Sequence, residues 1–267
     1  KLRISLLPTK VTKFFTSLVL DTIATREREG IVRPDMLQLL MQAKKGTLRD
    51  DHSRGNEDII AQAVLFFLAG FDTASTLLCF ASHQLAVHLD VQTRLQEEID
   101  ETLQENGGKF TYEALHNMKY LDMVVNETLR LYPPAAAVDR VCVQPYTLKS
   151  DPPMEVHPGE ALFIPIVALH HDPKYYPDPE RFDPERFSDD NKDNINPLTY
   201  LPFGIGPRSC IGNRFALMEA KLALAYLLSR FNVKVVAKTP IPIKIVQKGF
   251  NMSIDGGFWL GLEKRTA

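Results

Sequence analysis

Phe203-Gly204-Ile205-Gly206-Pro207-Arg208-Ser209-Cys210-Ile211-Gly212 gathers three glycines, an arginine and a cysteine into ten residues. A cysteine that serves as a thiolate ligand needs access to a metal, donors that stabilise its charge and exclusion of bulk water. Glycines let the backbone approach a flat cofactor closely and free N–H groups to turn toward sulfur. Cys210 stands just before a helical pattern, and a helix N-terminus favours an anion. Arg208, two residues earlier, is placed to neutralise a carboxylate on the same cofactor. The alternative is a structural cysteine buried beside a turn, the commoner state of a lone cysteine. A core cysteine, however, requires neither the glycines nor the arginine. Zinc fits poorly, since no second cysteine or histidine lies at ligand spacing. Nucleophilic catalysis stays open, with no histidine partner nearby in sequence.

Working outward, the spacing predicts a long helix over about 213–230. Beyond it the tail alternates at Asn232–Val236 and Phe258–Leu262, and Asp255-Gly256-Gly257 is a hairpin signal. Upstream, residues 172–208 are rich in proline and show few periodic segments; such long loops are often functional. Residues 135–170 read as short strands, Ala161–Val167 among them. Before them a helix ends at Tyr132 against Pro133-Pro134, and Thr111 can cap a short helix. An amphipathic helix carries Val91, Leu95 and Ile99 on one side and is stopped by Asn106-Gly107-Gly108. Val11, Phe14, Phe15, Leu18, Val19 and Ile23 form one face of a helix within 11–29, Pro34 opens another, and 44–57 is an exposed loop. Helix dominates, strands are minor, and neither a repeat nor a low-complexity tract occurs. The expectation is one domain over 1–267, mainly α with minor β.

Between Ile59 and Ala81 the only charge is Asp72. A membrane span needs ~20 apolar residues, so the length suffices. Yet Gln62, Gly70, Thr73, Ser75 and Thr76 interrupt it, and an ionisable residue in mid-span is costly. The stretch, inside a helix over 57–88, reads as the central helix of a soluble core.

Composition bounds the rest. The 267 residues carry a formal net charge of −2, with 45% hydrophobic and 24% charged residues. That is ordinary globular usage, and no basic excess points to nucleic acid. Three scattered cysteines, Cys79, Cys142 and Cys210, argue against a disulfide framework and for a reducing compartment. The chain opens on Lys1 of KLRISLLP without a charged-then-apolar leader. The expectation is that an N-terminal part precedes it.

The pattern Phe-x-x-Gly-x-x-Arg-x-Cys-x-Gly resembles the haem-binding signature of the cytochrome P-450 superfamily, and three further segments agree in order. The resemblance implies the C-terminal portion of that fold and haem b (iron protoporphyrin IX) held by Cys210 as axial thiolate. Phe203, Gly204, Gly212, Arg208 and Ala69 would lie against the haem. In Ala69-Gly70-Phe71-Asp72-Thr73, Gly70 clears space, and the Thr73 hydroxyl can turn onto the backbone and loosen the helix. By resemblance Thr73 and Asp72 form the acid–threonine pair that delivers protons during oxygen activation. Alone, the string would pass as a polar kink. Glu127-Thr128-Leu129-Arg130 puts an acid and a base on one helix face. Read blandly it is a surface pair of little worth; by resemblance it is buried and joined by Arg186 of Pro184-Glu185-Arg186-Phe187. Arg140 would contact a haem propionate or, equally, be an exposed strand residue.

Phe66, Leu68, Ala135, Ala136, Ala137 and Phe250 fall where the family lines its substrate pocket, although core packing explains Phe66 as well. The motif wording resembles microsomal members that oxidise foreign compounds, in insects above all and in vertebrate drug oxidation. That implies detoxification at the cytosolic face of the endoplasmic reticulum membrane. It implies an anchor in the missing N-terminal part, electrons from an NADPH-cytochrome reductase or cytochrome b5, and a lipophilic substrate. Two other readings stand beside a monooxygenase: a haem-thiolate isomerase or dehydratase acting on peroxides, in which the acid–threonine pair tends to be lost, and a truncated, non-catalytic fragment.

Overall fold

The computed structural model describes residues 8–44, 55–248 and 251–266. The KLRISLL opening and most of the 44–57 loop fall outside that set. The chain divides into two compact units, with the border between Phe71 and Asp72.

The first unit holds α1 (Thr9–Glu29), α2 (Met36–Lys44) and the start of α3 (Asn56–Val87). Its small core joins Val19, Ile23, Met41 and Ile59. Gly30 ends α1 in the left-handed region at φ 66°, which glycine adopts without steric cost. Arg26 then grips Asp35 through two hydrogen bonds of 2.8 and 2.6 Å, and the Asp35 carboxylate also accepts the Gln38 N–H. These bonds hold the Asp35 carboxyl down at about 2.

The expectation of a buried α3 holds for only part of the helix. Leu77, Phe80, Ala81 and Leu85 are buried, whereas Leu65, Phe66, Phe67, Leu68 and Phe71 are exposed. Composition reports that a face is apolar, not that anything covers it. By length and hydropathy alone, α3 is able to cross a membrane.

The second unit is built around α6 (Lys119–Leu131), in which nearly every residue is buried. Leu121, Val124 and Leu129 of α6 pack in one core with Leu95 and Ile99 of α4 (Leu89–Glu105) and Leu224 and Leu228 of α8 (Asn213–Leu228). Between α4 and α6, Thr111 caps the short α5 (Tyr112–Asn117) by accepting the Ala114 N–H at 3.1 Å. Glu98 of α4 caps α6 from outside, accepting the N–H groups of Tyr120 and Leu121 at 2.7 and 2.8 Å. A carboxylate there satisfies two orphan donors and meets the positive end of the helix dipole.

Among the described residues the strands form four two-stranded antiparallel sheets. β1 (Val138–Val141) pairs with β4 (Ala161–Ile164), and β2 (Tyr146–Leu148) with β3 (Met154–Val156). β5 (Phe231–Val235) pairs with β8 (Leu260–Lys264), and β6 (Ile245–Lys248) with β7 (Asn251–Ile254). Two expectations are corrected here. The strand expected over 161–167 stops at Ile164, because Pro165, which cannot donate to a ladder, starts α7 (Ile166–His170). Asp255-Gly256-Gly257 does turn the chain, with both glycines at positive φ, but its flanking strands do not pair with each other. The turn carries the chain from one sheet to the next.

Gln92 of α4 locks β5 to the helices. It accepts the Val233 N–H at 2.8 Å and donates to the carbonyls of Leu85 and Val233 at 2.8 and 2.9 Å, all buried. Removing a partner from a buried polar group costs its desolvation. Gln92→Leu is therefore expected to lower stability by about 3 kcal/mol, read as a shifted urea midpoint with an unchanged slope.

Candidate functional site

The Cys210 loop follows a long irregular segment that leaves α7 near His171 and passes three 3₁₀ turns, Pro184–Phe187, Lys192–Asn194 and Gly206–Arg208. With few backbone ladders of its own, this segment is held by side chains. Their centre is Glu127 and Arg130 of α6, both with 0% side-chain exposure. Arg130 donates to Glu127 twice, at 2.7 and 2.8 Å, and two further N–H groups reach the carbonyls of His170 at 2.9 Å and Arg181 at 3.2 Å. Glu127 accepts the Asp183 N–H at 2.9 Å. The Arg186 Nε stands 3.5 Å from Glu127, an electrostatic contact without hydrogen-bond geometry, while its Nη2 donates to the Asp178 carbonyl at 2.9 Å. The three residues paired in the sequence reading thus come together. Burial pushes the Glu127 carboxyl up, opposed by Arg130, the Asp183 N–H and Arg186.

Three successive residues at the entrance to the loop are anchored as well. Tyr176 donates to the Thr199 carbonyl at 3.2 Å. Tyr200 donates to the two oxygens of Asn126, at 3.1 and 2.9 Å. The Leu201 N–H donates to Nε2 of the buried His170 at 2.8 Å. Local chemistry does not announce these four residues: Tyr176, Tyr200, Asn126 and His170 meet partners up to 74 positions away. From Leu201 the loop closes on itself, Gly204 N–H to Leu201 O at 3.1 Å and Cys210 N–H to Phe203 O at 2.8 Å. Gly204 and Gly206 lie at φ 67° and 79°, where a side chain would be strained.

Cys210 is exposed. Phe203 is partly buried against the core, while Ile205, Ile211 and Phe215 are open around the cysteine. A Cβ on Gly212 would come within 4.0 Å of the sulfur. Among the described residues no three His, Cys, Asp or Glu side chains cluster as metal ligands. An accessible single sulfur with exposed apolar residues near it in sequence fits a flat metal macrocycle that brings its own equatorial ligands. Arg208 is exposed at the end of its 3₁₀ turn, and Arg140 is half-buried on β1 opposite Leu162; both are cations open to a carboxylate.

On α3, Ala69, Gly70 and Asp72 are exposed and Thr73 is half-buried. A Cβ on Gly70 would meet nothing within 4 Å. Two neighbouring hydroxyls turn back onto the helix. Ser75 and Thr76 both donate to the Asp72 carbonyl, at 3.0 and 2.8 Å. Beside them a cavity of about 270 Å³ is lined by Asp72, Ser75, Thr76, Cys79, Met252 and Phe258. Phe66 and Leu68 are exposed in this chain. Ala135, Ala136 and Ala137 are half-buried, and the Ala136 carbonyl accepts the Val167 N–H at 3.0 Å where α7 begins. Phe250 lies outside the described residues. Around the start of α8 a groove of about 600 Å³ carries Lys119, Lys192, Arg214 and Lys221 among its lining residues.

A family model described as cytochrome P-450 matches residues 8–260. The chain is 64% identical to cytochrome P-450 9e2 of Blattella germanica, over 99% of this chain and 52% of that protein. It is 45% identical to probable cytochrome P-450 9f2 of Drosophila melanogaster, over 99% and 53%. It is 46% identical to cytochrome P-450 3A13 of Mus musculus, over 93% and 49%. The chain spans about half the length of the curated relatives it matches.

Two outcomes are expected. Glu127→Ala leaves the buried Arg130 and the partly buried Arg186 without their carboxylate, a loss of ~3–5 kcal/mol; pyridine haemochrome assay of the purified variant should find little or no haem. Normal haem content would show the pair to be dispensable. The second concerns acid. Burial holds His170 at about 4, below its ordinary 6.5, with Arg130, His171 and the ring of Tyr200 around it. The unfolded chain therefore takes up this proton first. Stability present at neutral pH is lost from about pH 6.5 downward, and the loss levels off near pH 4. Urea unfolding should show the stability gap between wild type and His170→Gln narrowing by about 3 kcal/mol between those limits.

Proposed function

The chain belongs to the cytochrome P-450 family, and on that premise we propose that it is the haem-bearing part of a monooxygenase that inserts one atom of dioxygen into a lipophilic substrate. The observation that carries this reading is Cys210, an exposed sulfur on a loop with glycines at positive φ, fixed by its own N–H to Phe203 O at 2.8 Å. Haem b, when bound, supplies oxygen activation with two electrons and two protons, one oxygen leaving as water and the other entering a C–H or C=C bond.

The residues supply the rest. Cys210 provides the thiolate, three residues before α8 begins at Asn213. Arg208 and Arg140 bind the carboxylates of the cofactor. Ala69 and Gly70 present a side-chain-poor surface on α3. Asp72 and Thr73 relay protons, and the Asp72 carbonyl, already loaded by Ser75 and Thr76, marks a place where side-chain hydroxyls compete with the helix for its backbone acceptors. Met252 and Phe258 border the cavity beside Asp72 and join Phe66, Leu68 and Ala135–Ala137 as apolar contacts for substrate; Phe250 is proposed with them. Retention of the acid–threonine pair supports a monooxygenase over an isomerase or dehydratase.

Electrons come from an NADPH-cytochrome reductase or cytochrome b5. The groove with Lys119, Lys192, Arg214 and Lys221 also holds Asp122 and Asp189, which pair with the three lysines; its net positive lining, with Arg214 four residues after Cys210, suits an acidic donor surface, since opposite charges steer encounter. The resemblance to microsomal relatives supports a site of action at the cytosolic face of the endoplasmic reticulum, in the oxidation of foreign compounds.

Reduction under carbon monoxide tests the reading. A thiolate-ligated haem gives a Soret band far to the red of a histidine-ligated one. The band is expected for the wild-type protein and should vanish in Cys210→His at retained haem. Its absence with Cys210 intact would favour a non-catalytic fragment, and its persistence without Cys210 would overturn the ligand assignment.

A further inference from the structure

His170 has its two ring nitrogens committed to two different elements. The Leu201 N–H donates to Nε2 at 2.8 Å, so Nε2 carries no proton. Nδ1 lies 3.0 Å from the Arg130 carbonyl, which only accepts, so Nδ1 carries it. The ring is thus locked in one neutral tautomer, without solvent exposure and stacked on Tyr200 at 5.4 Å between centroids. Its own carbonyl accepts from Arg130. One unbroken path of hydrogen bonds and peptide units then runs from the Glu127–Arg130 pair through His170 to Leu201, across the Leu201–Gly204 turn, and through Phe203 O to the Cys210 N–H.

Resting on the haem-thiolate reading above, we propose that His170 is a positioning residue for Cys210: as an Nδ1–H imidazole it fixes the Leu201 peptide, and with it the place of the thiolate. Tyr176 and Tyr200 hold the two preceding residues, but through a main-chain carbonyl and a side-chain hydroxyl. Only His170 fixes the orientation of the peptide from which the loop departs. Without that acceptor the Leu201 N–H is buried and unmet, and the cheapest relief is rotation of the peptide, which displaces Gly204 and Phe203 together.

Two substitutions divide the histidine's roles. Gln places its amide oxygen near the position of Nε2 and keeps an acceptor for Leu201. Asn places its amide near Nδ1, keeps the donor to Arg130 and leaves Leu201 unmet. In haem-loaded protein, the measurement is the fraction of the ferrous carbon monoxide complex in the red-shifted thiolate band, per bound haem. His170→Gln is expected to match wild type. In His170→Asn the ratio of non-thiolate to thiolate complex should rise about tenfold, the equilibrium worth of one such hydrogen bond, or haem should be lost altogether. A wild-type thiolate fraction in His170→Asn, or equal loss in both variants, would overturn the proposal. Wild-type protein without any red-shifted band would instead sink the haem-thiolate reading before either variant is compared.

Discussion

The buried pair of Glu127 and Arg130 is the constraint on which the second unit turns. Two charges without solvent exposure are tolerated only when nearly every donor and lone pair finds a partner. Glu127 and Arg130 meet that demand by drawing in main-chain groups of His170, Arg181 and Asp183. The requirement of the pair and that of the irregular segment are complementary. The segment has peptide groups that no ladder satisfies, and the pair has charges that need dipoles. Hydrophobic packing of α4, α6 and α8 supplies the setting, because it places the pair where water cannot take over either role.

The chemistry proposed for Cys210 depends on this arrangement at a distance. A ligand must be held to a fraction of an ångström, and loops hold positions less well than helices do. Here the loop takes its position from α6 through Asn126, through the Arg130 carbonyl and through His170. Cys210 therefore stays exposed and accessible while its backbone is fixed from behind. The opposing demands of access and rigidity are divided between the front and the back of one loop.

What could be read in the sequence followed how local each signal is. The Asn106-Gly107-Gly108 stop, the Thr111 cap and the end of α6 just before Pro133-Pro134 depend on neighbours a few positions away, and all lie within a residue of where expected. The spacing of Glu127 and Arg130 showed that they share a face, and the resemblance, not the spacing, implied that the face is buried. Pro165 ended a strand whose apolar composition argued for continuation; its missing N–H outweighed propensity. Asp255-Gly256-Gly257 showed a turn correctly but could not show that β7 and β8 each pair elsewhere. His170, Tyr176 and Tyr200 sit in a stretch of little periodicity, so nothing local distinguished them from ordinary polar residues. Exposure along α3 from Leu65 to Asp72 was illegible for another reason: an apolar face looks the same in sequence whether covered or bare.

The contacts that shape the segment between α7 and α8 have one property in common. Arg130, Glu127, Arg186, Tyr176 and His170 all reach main-chain atoms there, the carbonyls of His170, Arg181, Asp178 and Thr199 and the N–H groups of Asp183 and Leu201. Main-chain atoms are nearly the same for every amino acid. The course of this segment is therefore inherited through a few side chains, Glu127, Arg130 and His170 before it and Tyr176 and Arg186 within it, and most of its other side chains can drift across descendants without altering it. Proline is the exception at positions 183 and 201, because it alone lacks the N–H that those partners grasp.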